Sequence, residues 1–397
     1  MGKLSLYASV GPELTHYDVD IDGAALSRRG TVELSANVQY VWPHASRRFL
    51  YVATSDSAPG MGPIGNAHNV AAFSIDPATG ALSPHGTPIH LPTRPIHIST
   101  DGPSRFILVA FNNPSAIRVY HIERDATPGE EVSPVGPIDP GNFAHQVRTT
   151  PDNRQVILVT RGHDAVGSHP EEPGALKVFD FRDGTLVNEI SVSPGGGYGF
   201  GPRHLDFHPS LPWVYVSLER QNELNMFELT NGALSSGPIF RKTTLSRPAT
   251  VRQAVGAVHV HPRGHTVYVA NRASDTVDFD GHRVFAGGEN SLAVYAIDPA
   301  TGEPNLIQHV DSHGIHPRTF HIDPSGRLMV VAHTMGLKVR VGDLVHFMPA
   351  RLSLFRITAD GRLEFARAYD VNVGRRTIWW MGMVERTTRN LPSKSTA

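Results

Sequence analysis

Arg94, His145, Arg203, Glu219, Arg272 and Arg318 fall in step along the chain, at equivalent positions of a repeat of about 40–60 residues. Their types suggest a chemistry. Guanidinium groups pair with carboxylate or phosphate in a fixed fork geometry, so several arginines at one place predict an anionic ligand. His145 is the side chain suited to carry a proton near neutrality. Glu219, set among arginines, is expected to stay ionised and to act as a base or to orient water. Which of Glu219 and His145 is the base stays open at this level. The chain has no Gly-x-Ser-x-Gly elbow, Walker loop or His-Glu-x-x-His motif. It has no cysteine, which removes disulfides, a thiolate nucleophile and Cys-zinc sites. Acid–base chemistry on an anionic substrate is what these residue types leave.

The elements that position them are set by the repeat. Residues 201–229 read GPRHLDFHPSLPWVYVSLERQNELNMFEL. The same plan recurs along the chain: a short run into a Pro or Asp-Gly turn, an apolar strand of the Tyr-Val type, and a third strand ending in an aromatic and an acidic turn. Seven copies can be aligned, centred on Tyr7, Tyr51, Leu108, Leu158, Tyr215, Tyr268 and Val330. No helical periodicity of useful length competes, and Pro and Gly punctuate the chain at strand spacing. The expected fold is all-β, a seven-bladed β-propeller forming one domain over residues 1–389. The first copy lacks a strand before Leu6, and a spare β-rich run, 377–384, follows the last copy. That C-terminal run is expected to complete the first blade and close the ring, leaving few open edges. Residues 390–397 are expected to be a frayed, disordered tail.

The first strand of a propeller blade lines the central channel, and the second returns beside it. Counting six residues back from each turn position (a Pro, or Thr100 in one copy) yields Asn37, Arg94, His145, Arg203, Gly256 and Arg318. The matching ends of the second strands are Ser55, Asn112, Gly162, Glu219, Arg272 and Thr334. A purely structural slot repeated around a ring should hold small or apolar residues, and buried like charges are costly unless an anion compensates. One channel mouth is therefore expected to gather His145, Arg203, Glu219 and Arg272 as catalytic residues. Arg94, His204, His259 and Arg318 are expected there as substrate-binding residues. Long connections over 54–68, 162–173, 273–289 and 334–349 should emerge at the same mouth.

Composition narrows the function further. There are 36 basic and 37 acidic residues, so no basic footprint for nucleic acid exists. No apolar run approaches the length of a membrane span, and residues 1–7 show no signal segment, so a cytoplasmic protein acting on a small molecule is expected. Two metal readings compete. Asp275, Asp278 and Asp280 alternate before Gly281 but lack the distal Glu of a calcium loop. Among the 22 histidines, His259, His261, His313, His316 and His321 are zinc candidates, although His261, like His208, belongs to a His-Pro turn at the far end of its strand. The expectation is no metal and no cofactor.

The run 201–204 (Gly-Pro-Arg-His), followed by 207–209 (Phe-His-Pro) and by Tyr215 to Glu219, resembles the signature of the seven-bladed propeller lactonases. That family includes propeller-type 6-phosphogluconolactonases and carboxy-cis,cis-muconate cyclases. Residues 267–272 (Val-Tyr-Val-Ala-Asn-Arg), 290–295 (Asn-Ser-Leu-Ala-Val-Tyr), 316–318 (His-Pro-Arg) and 323–326 (Asp-Pro-Ser-Gly) extend the resemblance over nearly the whole chain. It implies an active site of His145, Arg203, Glu219 and Arg272, without metal, in carbohydrate or aromatic catabolism. The chain departs from the family pattern at 142–145, in the insertion 273–289 and in the segment 338–343, all around the pocket. Three functions stay open: a metal-independent hydrolase of an anionic lactone, a muconate-type cycloisomerase or lyase using the same residues, and a non-catalytic propeller that binds a partner.

Overall fold

Every repeat must bury two faces, and the second strands show it most clearly. All residues of Phe106–Asn112 and of Thr266–Arg272 are buried, because a neighbouring blade covers each side of these strands. The computed structural model describes residues 3–60 and 62–387; the tail expected at 390–397 lies outside the described residues.

The strands assemble into seven antiparallel blades. The inner strands are Asn37–Pro43, Pro95–Thr100, Ala144–Thr149, Pro202–Phe207, Ala254–Val260, Pro317–Ile322 and, for the first blade, Ile378–Glu385. Ile378–Glu385 pairs antiparallel with Leu4–Val10, from Leu4 opposite Glu385 to Val10 opposite Ile378. The C-terminal run thus closes the ring as the sequence predicts. Ser9 fixes this seam: its Oγ donates to Trp380 O and accepts from Trp380 N.

Among the described residues seven buried apolar clusters occur, each at an interface between adjacent blades. The seam itself joins Leu4, Leu6, Met381 and Met383 to Leu328, Val330, Leu352 and Leu354 of the last blade. Burying one such side chain fully contributes about 1.5–3 kcal/mol. A blade alone would leave both faces wet, so each blade is stable only between its neighbours.

The recurrent tyrosine has a polar task as well. Tyr7, Tyr215 and Tyr268 donate their hydroxyls to Gly80 O, Gly302 O and Gly361 O in the next blade, at 2.7–2.8 Å. Tyr51 reaches Ala126 O in the same way. The acceptor residues occupy the left-handed region, with φ of 77° at Gly302. A Cβ at Gly302 would lie 2.4 Å from the Met226 methyl, so the turn requires glycine for both reasons.

Two of the long connections are β-hairpins rather than irregular loops. Thr276–Phe279 pairs with His282–Phe285, and Leu337–Val341 pairs with Leu344–Met348. They join through one parallel bridge, Val284 to Lys338, into an additional four-stranded sheet. The alternating carboxylates 275–280 belong to the first hairpin, whose turn places Asp280 and Gly281 at φ of 52° and 75°, the geometry of a tight hairpin turn. Among the described residues no helix is long and apolar enough to cross a membrane.

Candidate active site

A β-bulge near the start of each inner strand controls which side chain turns into the channel. Pairing with the second strand slips by one residue in every blade; in the sixth two residues stand opposite one, and in the first the slip lies in the closing strand. The unpaired residues are Gln39, Ile96, His145, Arg203, Gly256 with Ala257, and Arg318; in the closing strand the slip falls at Trp379 and Trp380. A bulge releases a residue from the ladder and re-aims its side chain. Here it sends His145, Arg203 and Arg318 toward the second-strand ends that carry Glu219 and Arg272.

Glu219 is the hub. It is only 9% exposed, and three guanidinium groups converge on it. Arg272 Nη2 donates to Oε1 in a short contact, Arg161 Nη1 donates to Oε2 at 2.9 Å, and Arg203 Nε stands 3.6 Å from Oε1. Burial works to raise its pKa, but Arg272, Arg203 and Arg161 outweigh it and hold the carboxyl well below the usual range. Arg203 is 1% exposed, with Nε and Nη1 lacking any hydrogen bond. Burial, with Arg272 alongside, brings Arg203 down to about 9.

Arg272 is held from a second side. Its Nη1 lies 3.1 Å from His316 Nε2, and His316 Nδ1 lies 3.0 Å from Thr334 Oγ1. Since a guanidinium only donates, Nε2 is the acceptor and Nδ1 carries the proton toward the threonine. Asn290 supports both residues, with Oδ1 accepting from Ala273 N and His316 N at 3.0 and 2.9 Å. The backbone of His316 sits in the left-handed region at φ 58°, a strained position for a residue with a Cβ.

His145 is buried, with Nδ1 unpartnered. Burial and then Arg203 push its pKa well below the ordinary imidazole value, so the ring is neutral at pH 7. Arg318 lies flat on the Trp379 indole, 3.4 Å from the ring centroid, and makes no hydrogen bond or ion pair among the described residues. Burial, Arg203 and Arg272 lower its pKa as well.

The structure therefore brings His145, Arg203, Glu219, Arg272 and Arg318 together. His204 stands one tier deeper, with its ring centroid 5.1 Å from that of His145 and its pKa lowered by burial. Two expected residues lie elsewhere. Arg94 Nη1 donates to Ala58 O and Pro63 O and so pins the 56–67 connection. Its apparent place in the channel came from counting back from Thr100. The turn in that blade is closed by Asp101 N donating to Phe106 O, as Thr150 N donates to Gln155 O in the fourth blade, so Gly102 matches Pro151 and Ile96 takes the slot. The same shift replaces Asn37 by Gln39, because His44 N donates to Phe49 O. His259 sits at the opposite end of its strand, 3.5 Å from Asp206, and not beside Glu219. His261 caps the next turn through Gly326 O, which explains its burial.

Three residues of the cluster were not expected in it. Arg161 precedes the slot residue Gly162 by one position and is turned inward over the Phe143 ring. His316 belongs to the His-Pro-Arg run of the family resemblance and to the metal candidates, but not to the expected site. Trp379 occupies the bulge of the closing strand, which carries no proline-marked turn slot of its own in the first copy.

Residues 5–342 match the family described as lactonase, seven-bladed β-propeller. A 6-phosphogluconolactonase of Bacillus subtilis (strain 168) is 26% identical over 355 residues, covering 87% of this chain and 90% of that protein. A 6-phosphogluconolactonase of Enterobacter sp. (strain 638) is 28% identical over 307 residues, covering 76% and 79%. Among solved structures, the periplasmic gluconolactonase of Pseudomonas aeruginosa superposes with a TM-score of 0.71 at 20% identity, over 97% of this chain and 100% of that one, a likeness of fold. By the extent of the family match, the chain belongs to the seven-bladed β-propeller lactonases.

Proposed function

We propose that this lactonase opens an anionic lactone, carboxylated or phosphorylated, at the Glu219 cluster, with His145 as the general base. The observation that carries the reading is the imbalance of charge. Four arginines, Arg161, Arg203, Arg272 and Arg318, surround one carboxylate, and the neighbouring histidines are neutral. Buried cations without anionic partners are costly, and a bound anion relieves that cost. Arg161 and Arg272 are engaged by Glu219, whereas Arg318 and two nitrogens of Arg203 are free to donate.

The chemistry follows from protonation states. A carboxylate clamped by three guanidinium groups is a weak base, so Glu219 orients the arginines and sets the local field. Neutral His145 accepts a proton from water as the water oxygen attacks the lactone carbonyl carbon. Arg203 stabilises the tetrahedral oxyanion, and Arg318 holds the anionic substituent. Collapse breaks the ring C–O bond, and the departing ring oxygen takes the proton back from His145. The product is a hydroxy acid that ionises and releases one proton to solvent.

The test is acid release, followed by a pH indicator, from 6-phosphogluconolactone, a muconolactone and uncharged gluconolactone, in 18O-labelled water with and without chelator. The reading expects faster opening of the charged lactones, one solvent oxygen in the product and no effect of chelator. Equal opening of the uncharged lactone would refute the anion site. An isomerised product without solvent oxygen would replace hydrolysis by cycloisomerisation.

A further inference from the structure

At the other end of the inner strands the channel holds a second constellation that the reaction does not use. Arg203 and Asp206 lie three residues apart on one strand, so the two tiers are separated by roughly 10 Å. The lower tier encloses a cavity of about 230 Å³ lined by Tyr40, Trp42, Arg148, Asp206, His259 and His321, with further aromatic wall from Trp380 and Phe320. That volume is below the range of about 300–1,000 Å³ typical of drug-sized ligands and suits a single ring.

Its polar groups are arranged and incompletely satisfied. The Arg148 guanidinium carbon lies over the rings of Trp42 and Phe207, 5.0 and 5.7 Å from their centroids. It makes no hydrogen bond among the described residues. Its one ion pair, to Asp206 Oδ1, is 3.6 Å long. Asp206 is occupied by others: Oδ2 accepts from Val260 N at 2.9 Å and lies 3.5 Å from His259 Nδ1, and Oδ1 accepts from Phe207 N at 3.1 Å. Arg148 therefore packs against aromatic rings while its N–H groups remain without a hydrogen bond among the described residues, available to a carboxylate in a bidentate fork. His321 Nδ1 is buried without a partner. Burial and the adjacent His259 bring His321 down to about 4, so it is a neutral hydrogen-bonding group near neutrality.

We infer that this lower cavity is a second binding site, taking a small planar organic acid whose carboxylate pairs with Arg148 and whose ring lies among Trp42, Tyr40 and Trp380. The site is independent of the lactone-opening reading, since none of its lining charges touches Glu219. Occupancy there meets the underside of His204, which also lines the cavity, and His204 is the residue that separates it from His145.

The probe is 4-fluorobenzoate, followed by 19F NMR titration of the whole protein, with 4-fluorobenzamidine as the cationic counterpart. Saturable fluorobenzoate binding is expected to persist in Arg203→Ala, which disables the upper cluster, and to weaken at least tenfold in Arg148→Met. Arg148→Lys, which keeps the charge and loses the fork, is expected to fall between the two. Near-UV circular dichroism confirms that each variant is folded. Binding that disappears in Arg203→Ala and is unchanged in Arg148→Met would assign the ligand to the upper site and overturn the inference. Absence of binding, or preference for the benzamidine, would overturn it as well. Failure of the lactone assay would leave these outcomes unaffected.

Discussion

Replacing Glu219 by glutamine removes one charge and almost no volume, so its consequences are electrostatic. In the native protein the carboxylate answers Arg161, Arg203 and Arg272 at once. Without it, the buried guanidinium groups of Arg203 and Arg272 and the half-buried one of Arg161 face one another. Removing one partner of a buried ion pair costs about 3–5 kcal/mol, and Glu219→Gln should lose that order of stability at pH 7 in urea denaturation. Added phosphate or sulfate should restore part of the loss, because an anion can take the vacated place. The pH dependence has a defined sign. The folded pKa of Glu219 is depressed, so its contribution is fully present above the unfolded value of about 4.3 and is lost as pH falls toward the folded value. The wild type and the variant should therefore differ by a constant amount near neutrality and converge only in acid. In kinetics, the acidic limb of kcat/KM should survive in Glu219→Gln and move to lower pH, since the Glu219 charge raises the pKa of His145. A variant as stable as the wild type, or one that loses the limb altogether, would refute this account of Glu219.

Other consequences are simpler to check. His97, His145, His204 and His316 all have pKa values well below the ordinary 6.5, chiefly through burial. The unfolded chain takes up protons that the folded one refuses, so stability should begin to fall below about pH 6.5, before the carboxylates titrate, in a series of urea midpoints. Tyr215→Phe strips the inter-blade bond to Gly302 O and should cost about 1 kcal/mol, whereas Gly302→Ala, with φ 77° and the Met226 methyl in the way, should cost more; thermal melts compare them. Deleting residues 378–397 removes the strand that joins the first and last blades and should abolish cooperative unfolding, read by calorimetry.

The periodic part of the molecule is legible in the sequence because its causes are local. The Tyr-Val strands read as strands because both faces are buried, and the glycine turns read as turns because positive φ is needed. The slots of the candidate site are legible where a proline marks the turn, at Pro151, Pro209, Pro262 and Pro324, and they lead to His145, Arg203 and Arg318. They mislead where the marker moves. Pro43 ends a strand and Ala45 holds the turn position, and Gly102 holds it in the next blade, so the count landed on Asn37 and Arg94 in place of Gln39 and Ile96. Arg161 was hidden for another reason: its inward turn depends on stacking against Phe143, a tertiary contact that spacing does not encode. His259 shares a strand with the correct slot but stands at its far end, facing Asp206. The pairing of two hairpins from different blades through Val284 and Lys338 likewise depends on long-range geometry.

In the proposed reaction neutral His145, and not Glu219, takes the proton from water. The direct measurement is acid release from 6-phosphogluconolactone by wild type and His145→Ala across pH, with folding of the variant verified by circular dichroism. A general base contributes about 10²–10⁴-fold, so His145→Ala should lose at least a hundredfold in kcat together with the acidic limb of the profile. Retention of both rate and limb in the folded variant would contradict the account and return the base to another group of the cluster.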